Sequence, residues 1–74
     1  MAIVRKMEPL SLERDSSHSE VNATYTVVKD VNGENYLQVD TYGSASRQEK
    51  GKKSQSIRFS PEAIQQLKSI LAQL

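Results

Sequence analysis

Residues 51–64 read GKKSQSIRFSPEAI and carry the strongest secondary-structure signals of this chain. A basic segment leads into a short alternating strand, in which Ile57 and Phe59 share one face. Ser60 supplies the side-chain oxygen that a helix N-cap needs. Pro61 suits the first helical position, and Glu62 lies near the positive end of the helix dipole. The pattern predicts a strand over 54–59, followed by a helix that runs to the end of the sequence.

The predicted helix has one apolar side. Its apolar residues fall within about 120° of arc and are Ala63, Ile64, Leu67, Ile70, Leu71 and Leu74. A chain of 74 residues has a thin core, and without cysteine and with one histidine it can form neither a disulfide nor a zinc site. We therefore expect a homodimer whose interface is formed by Ile64, Leu67, Ile70, Leu71 and Leu74.

Two β-rich segments, residues 21–29 and 36–42, flank the dipeptide Asn32-Gly33, which is a strong hairpin signal. A two-residue turn would pair Val28 with Leu37. A five-residue loop from Val31 to Asn35 would pair Val27 with Val39. Only the longer loop places Tyr25, Val27, Leu37 and Val39 on one face, so it is the register we favour.

Residues 1–20 form a predicted N-terminal arm, in which Ile3-Val4 opens a short strand and residues 15–20 are a polar linker. Residues 21–74 form the predicted domain. The fold class is α+β, with an antiparallel sheet of three to four strands followed by one C-terminal helix. No apolar run approaches the roughly 20 residues that cross a bilayer, and the first residues lack a signal-peptide pattern, so we expect a cytoplasmic protein without a membrane partner.

Positive charge is concentrated in residues 44–58, where one acidic residue, Glu49, accompanies five basic ones: Arg47, Lys50, Lys52, Lys53 and Arg58. Such a cluster supplies salt-sensitive affinity for phosphates, although a solvated hairpin loop would have the same composition. Tyr36 and Tyr42 alternate with the buried positions of their strand, so we expect them on its outer face. There they either stack on bases or form cross-strand pairs.

Motifs for catalysis are lacking in the sequence. It has no glycine-rich phosphate loop and no cysteine, and His18 lies in a serine-rich segment that offers little preorganisation. We expect no enzyme activity, no cofactor, no metal and no small-molecule substrate.

Several segments in order resemble one family. They are YTVVKD at 25–30, YLQVDTY at 36–42, KGKK at 50–53, SIRFSPE at 56–62 and QLK at 66–68. Together they resemble the C-terminal domain of the eukaryotic transcriptional coactivator positive cofactor four and its small bacterial and phage homologues. The resemblance covers about residues 24–71 and departs from the family at Asp40 and Gly43, where basic and aromatic residues are expected.

The resemblance implies a curved antiparallel sheet of the Whirly and coactivator type, a dimer formed largely by the helices, and single-stranded or melted DNA, or RNA, along the sheet. It implies phosphate contacts at Lys29, Lys52, Lys53 and Arg58. With the residues chosen above, the complete candidate nucleic-acid site is Lys29, Tyr36, Tyr42, Arg47, Lys50, Lys52, Lys53 and Arg58.

The leading hypothesis is a dimeric single-stranded-DNA-binding protein that acts in transcription, replication or recombination with little sequence preference. It would act at the nucleoid of a bacterium or, for a phage protein, in the host cytoplasm. One alternative is a protein-interaction module that uses the apolar stripe of the helix. The other is a ribbon–helix–helix regulator, whose strand and helix start residues 56–62 resemble. That fold needs a second helix after the first, and we expect none here, because the helix predicted from Ser60 onward runs to Leu74.

Overall fold

The computed structural model describes residues 1–43 and 53–74, which form a four-stranded sheet and one helix. The elements in chain order are β1 (Ala2–Val4), β2 (Ala23–Lys29), β3 (Asn35–Tyr42), β4 (Lys53–Phe59) and α1 (Pro61–Ala72). The predicted basic segment falls mostly on residues 44–52, which lie outside the described residues. The predicted α+β class, with a single C-terminal helix after the sheet, is confirmed for the part of the chain that is described.

The strand order is β1-β4-β3-β2, which makes the sheet mixed. β2 pairs with β3, and β3 with β4, in antiparallel fashion, whereas β1 pairs with β4 in parallel. The prediction of a wholly antiparallel sheet is therefore wrong at this edge. The physical reason is that β1 and β2 lie on opposite edges, so the chain crosses the sheet between them and does not form a hairpin.

The first residues of the predicted N-terminal arm are attached to the domain. The amide of Ser60 donates to the carbonyl of Val4 at 3.0 Å, which continues the β1–β4 pairing into the helix start. Beyond the strand, Met7 and Gln66 exchange two hydrogen bonds, from the Met7 amide at 2.8 Å and to its carbonyl at 3.1 Å. The predicted strand at Ile3-Val4 is confirmed, and residues 5–22 contain neither helix nor strand.

The helix starts where the sequence predicts. Ser60 has extended backbone angles and is fully buried, and its hydroxyl oxygen accepts a hydrogen bond from the amide of Ala63 at 3.2 Å. Pro61 occupies the first turn and Glu62 supplies the expected acidic side chain. The helix ends at Ala72 and is capped by Gln73. It is therefore two residues shorter than predicted, since the predicted helix ends at Leu74.

Asp30 organises the hairpin loop between β2 and β3. Its carboxylate accepts hydrogen bonds from the amides of Asn32, at 2.8 Å, and Glu34, at 3.0 Å. Its carbonyl accepts from Gly33 at 3.1 Å, and Gly33 has a φ of 80°, which is the left-handed region that a turn of this kind requires. The side chain of an aspartate therefore fixes the loop that precedes β3.

The hairpin register differs from the one predicted. Val27 pairs with Leu37, and Tyr25 with Val39, so the five-residue loop runs from Asp30 to Glu34. The predicted pairing of Val27 with Val39 is wrong by two positions. Because side chains alternate with a period of two, this shift leaves every side chain on the predicted face.

Replacing Gly33 with alanine is expected to destabilise the protein by about 1–2 kcal/mol, because an L-residue resists a positive φ. A Cβ built at this position would meet no atom within 4 Å, so the penalty comes from the backbone and not from a clash. Urea unfolding of both proteins measures this loss of stability. Gly33→Asn is the matched control and should lose less stability than Gly33→Ala, since asparagine tolerates a positive φ better than alanine does. Equal stability of the alanine and wild-type proteins would contradict this view of the loop.

The register divides the sheet into two chemically different faces. The apolar face carries Val4, Tyr25, Val27, Leu37, Val39, Ile57 and Phe59. The polar face carries Thr24, Thr26, Tyr36, Gln38, Asp40, Ser56 and Arg58, together with two apolar residues, Ile3 and Val28. This confirms the predicted alternation of β4, in which Ile57 and Phe59 oppose Ser56 and Arg58.

Candidate nucleic-acid interface

The central strand β3 forms the middle row of the polar face. Tyr36, Gln38, Asp40 and Tyr42 point to this side in turn, because they alternate with the apolar Leu37 and Val39. The row therefore presents two aromatic side chains at its ends and an amide and a carboxylate between them. Side chains from the other three strands and their flanking residues contact this row.

Arg5 meets the first tyrosine of the row. Its guanidinium carbon lies 5.7 Å from the centre of the Tyr36 ring, and its Nη1 donates to the phenolic oxygen at 3.3 Å. A cation over an aromatic ring is stabilised by about 0.5–1 kcal/mol at an exposed site. Because Arg5 directly follows β1, the parallel pairing of β1 with β4 is what brings this cation to the polar face.

Arg58 reaches the row through an amide. Its Nε donates to Oε1 of Gln38 at 3.1 Å, and its Nη2 donates to the same oxygen. The two residues are direct partners across β3 and β4. Because the acceptor is a neutral amide, this contact orients the guanidinium without neutralising its charge.

A β-bulge brings Lys53 to the same face. Thr41 pairs with Gln55, whereas Tyr42 pairs with Lys53, so Ser54 is an extra residue on β4. Without the bulge, strict alternation would place Lys53 on the side of Ile57. Its Nζ instead lies 3.2 Å from Oδ2 of Asp40.

Tyr42 closes the far end of the row. Its phenolic oxygen lies 2.9 Å from Oγ1 of Thr24 on β2, and its amide donates to the carbonyl of Asn22 at 3.1 Å. These contacts tie the tyrosine to the edge strand. Tyr36 and Tyr42 are both half-buried, as expected for rings that lie against a sheet.

Of the predicted nucleic-acid residues, the structure brings Tyr36, Tyr42, Lys53 and Arg58 to the polar face. It does not bring Lys29 there, because Lys29 pairs with Asn35 and shares the apolar face with Tyr25 and Val27. The other predicted residues, Arg47, Lys50 and Lys52, lie outside the described residues.

The nucleic-acid site predicted from the sequence does not include Arg5 or Gln38. Gln38 had a usable signal, since it alternates with Leu37 and Val39. Arg5 had none, because the strand that places it pairs with residues more than fifty positions away along the chain.

The opposite face is largely uncovered. Tyr25 is 77% exposed and Val27 is 60% exposed, and both lie on the edge strand β2. Nearer to the helix start, Leu37 and Phe59 are half-buried. Of the predicted interface residues of α1, Ile64 and Leu67 are half-buried, while the last three are exposed: Ile70, Leu71 and Leu74.

Comparison with known proteins gives no matching family model, and no curated protein or solved structure matches the chain significantly. Residues 1–43 and 53–74 contain no helix that is both long and apolar enough to cross a membrane. The same residues contain no group of three or more His, Cys, Asp or Glu that could hold a metal ion.

Proposed function

We propose that this chain is a single-stranded-nucleic-acid-binding protein that works as a homodimer and binds the nucleic acid on the polar face of its sheet. One observation carries the proposal. Cations and aromatic rings from distant parts of the sequence are gathered on one side of the sheet: Arg5, Tyr36, Tyr42, Lys53 and Arg58.

The chemistry of this face suits unpaired nucleotides. Guanidinium and ammonium groups attract phosphates and release counterions when they bind them. Tyrosine rings offer a flat surface to bases that are not stacked in a duplex, and each such contact contributes about 1–3 kcal/mol. Neither interaction reads base edges, so we propose binding with little sequence preference.

The connection between β3 and β4 adds to the positive charge. Arg47, Lys50 and Lys52 lie in the sequence between Tyr42 and Lys53, the residues that end β3 and begin β4 at this face. A single-stranded nucleic acid that follows the row from Tyr36 to Tyr42 therefore reaches the start of the most basic segment of the sequence. This supports a path for the nucleic acid along β3, toward that segment.

The exposed apolar face supports the proposed homodimer. Among the described residues, Ala63 is the only apolar residue that is buried. Full burial of one large apolar side chain contributes about 1.5–3 kcal/mol, and a protomer whose large apolar side chains are at most half-buried among the described residues gains only part of this stabilisation. A second copy that presents the same sheet face and the same helix stripe would cover both surfaces symmetrically.

The pairing of β4 argues against a ribbon–helix–helix regulator. That fold reads DNA with a two-stranded ribbon built from two chains, whereas β4 is already paired with β1 on one side and with β3 on the other. The protein-interaction module stays as the second candidate, because the apolar face would equally suit a foreign partner.

Fluorescence anisotropy with a labelled oligonucleotide of about twenty nucleotides tests the proposal. Contact with three to five phosphates predicts a slope of roughly −2 to −4 in a plot of log affinity against log salt. Single strands should bind more tightly than the matching duplex. No binding at low salt, or a preference for the duplex, would contradict the proposed function.

A further inference from the structure

A carboxylate lies in the middle of the face that is proposed to bind phosphates. Asp40 is only 3% exposed, because the side chains around it on β3 and β4 cover it. Hydrogen bonds from Ser56 and Gln38, together with the nearby Lys53 ammonium, hold the pKa of Asp40 below its ordinary value. Asp40 is therefore a permanent anion at neutral pH.

This anion holds the Lys53 ammonium directly. The distance of 3.2 Å between Lys53 Nζ and Asp40 Oδ2 is that of a hydrogen-bonded ion pair. The two partners differ in accessibility, because the side chain of Lys53 is 55% exposed and that of Asp40 is 4% exposed. A phosphate at the surface can reach the lysine but not the carboxylate.

Asp40 also acts on Arg58, but through Gln38. The Gln38 amide nitrogen donates to both carboxylate oxygens of Asp40, at 3.2 Å and 3.0 Å. This contact turns the amide oxygen of Gln38 toward the Arg58 guanidinium, which donates to it. Arg58 is thus positioned but keeps its charge, whereas Lys53 is both positioned and neutralised.

From this difference we infer that the Asp40 carboxylate competes with phosphate for the Lys53 ammonium. This competition limits the affinity of the polar face for nucleic acid. The inference rests on the proposed function. An incoming phosphate must take Lys53 from Asp40 or bind without it. In either case Lys53 contributes less than a cation of the same face that no carboxylate neutralises.

Replacing Asp40 with asparagine tests this inference. Asparagine keeps the size of the side chain and one acceptor for Gln38, but it removes the charge that holds Lys53. Asp40→Asn is expected to bind a labelled single strand about two- to fivefold more tightly, which is the strength of one partly exposed ion pair. Its salt slope should steepen by about 0.7, which corresponds to one additional phosphate contact.

Two controls locate the effect. Glu13→Gln removes one negative charge from the exposed N-terminal segment and should leave the affinity within twofold of wild type, which is about the effect expected of one distant, screened charge. In Asp40→Asn/Lys53→Gln the gain should disappear, because the released lysine is missing. Thermal unfolding by circular dichroism shows whether each variant is folded.

A second comparison does not depend on the folding of an Asp40 variant. In an otherwise wild-type chain, Lys53→Gln should lose less affinity than Arg5→Gln, because Lys53 forms an ion pair with Asp40, whereas Arg5 forms none with a carboxylate of residues 1–43 and 53–74. Equal losses, or an Asp40→Asn protein that is folded and binds no more tightly than wild type, would overturn the inference while the proposed function stands. If wild type itself does not bind, both are overturned.

Discussion

Replacing Val27 with lysine is expected to dissociate the proposed dimer. In a single protomer Val27 is 60% exposed, so a lysine there would reach water freely and change little. In a dimer that covers the apolar face, the same lysine would carry a charge into the interface, at an effective penalty of several kcal/mol. A penalty of about 4 kcal/mol weakens association about a thousandfold. Light scattering after gel filtration would then show the 8.3 kDa protomer in place of a particle of twice that mass.

Thr26→Lys is the matched control for this substitution. Thr26 is the preceding residue on β2 and is also exposed, but it lies on the polar face, opposite Gln38. It should leave the dimer intact. Because the stability of a dimer depends on its concentration, the melting temperature of wild type should rise with protein concentration. A wild-type protein that is a stable monomer, or a Val27→Lys dimer as tight as wild type, would contradict the symmetric interface and favour the protein-interaction module.

The double substitution Arg5→Gln/Arg58→Gln is expected to remove most of the affinity for single strands at low salt. Both guanidinium groups lie on the polar face, and neither is paired with a carboxylate among the described residues. Loss of two phosphate contacts should flatten the salt slope by about 1.4. We expect the affinity to fall roughly tenfold or more, since a hydrogen bond to a charged group contributes about 1.5–3 kcal/mol.

Lys29→Gln/Lys68→Gln changes the net charge by the same amount away from that face. Lys29 lies at the end of the apolar face, and Lys68 is exposed on α1. If binding were a response to overall charge, the two double variants would lose equal affinity. Equal losses would therefore contradict a site on the polar face, whereas a selective loss in Arg5→Gln/Arg58→Gln would support it.

The parts of the fold that depend on neighbouring residues were predictable from the sequence. The capped start of α1 needs only Ser60 and the two residues after it. The assignment of β3 and β4 side chains to two faces needs only their alternation. The two-position error in the hairpin register arose because the Asp30 carboxylate, and not the Asn-Gly pair alone, determines where the loop begins.

The parts that depend on distant pairing were not predictable. Nothing in the residues near Ile3 indicates a parallel partner in β4, and that pairing delivers Arg5 to the polar face. The bulge at Ser54 has no clear sequence signal either, yet it decides on which face Lys53 lies. Lys29 is a different case: alternation with Tyr25 and Val27 already assigns it to the apolar face, and only the family resemblance suggested a contact with phosphate.

Photocrosslinking to a single strand that contains a halogenated uracil tests the central claim, namely that one face of the sheet binds nucleic acid while the other binds a second copy. The three tyrosines of the chain are divided between these faces, which makes them internal reporters. Mass spectrometry of the adducts should find the nucleotide on Tyr36 or Tyr42, and Tyr25 should be unmodified. Adducts mainly on Tyr25 would place the nucleic acid on the apolar face and contradict the account.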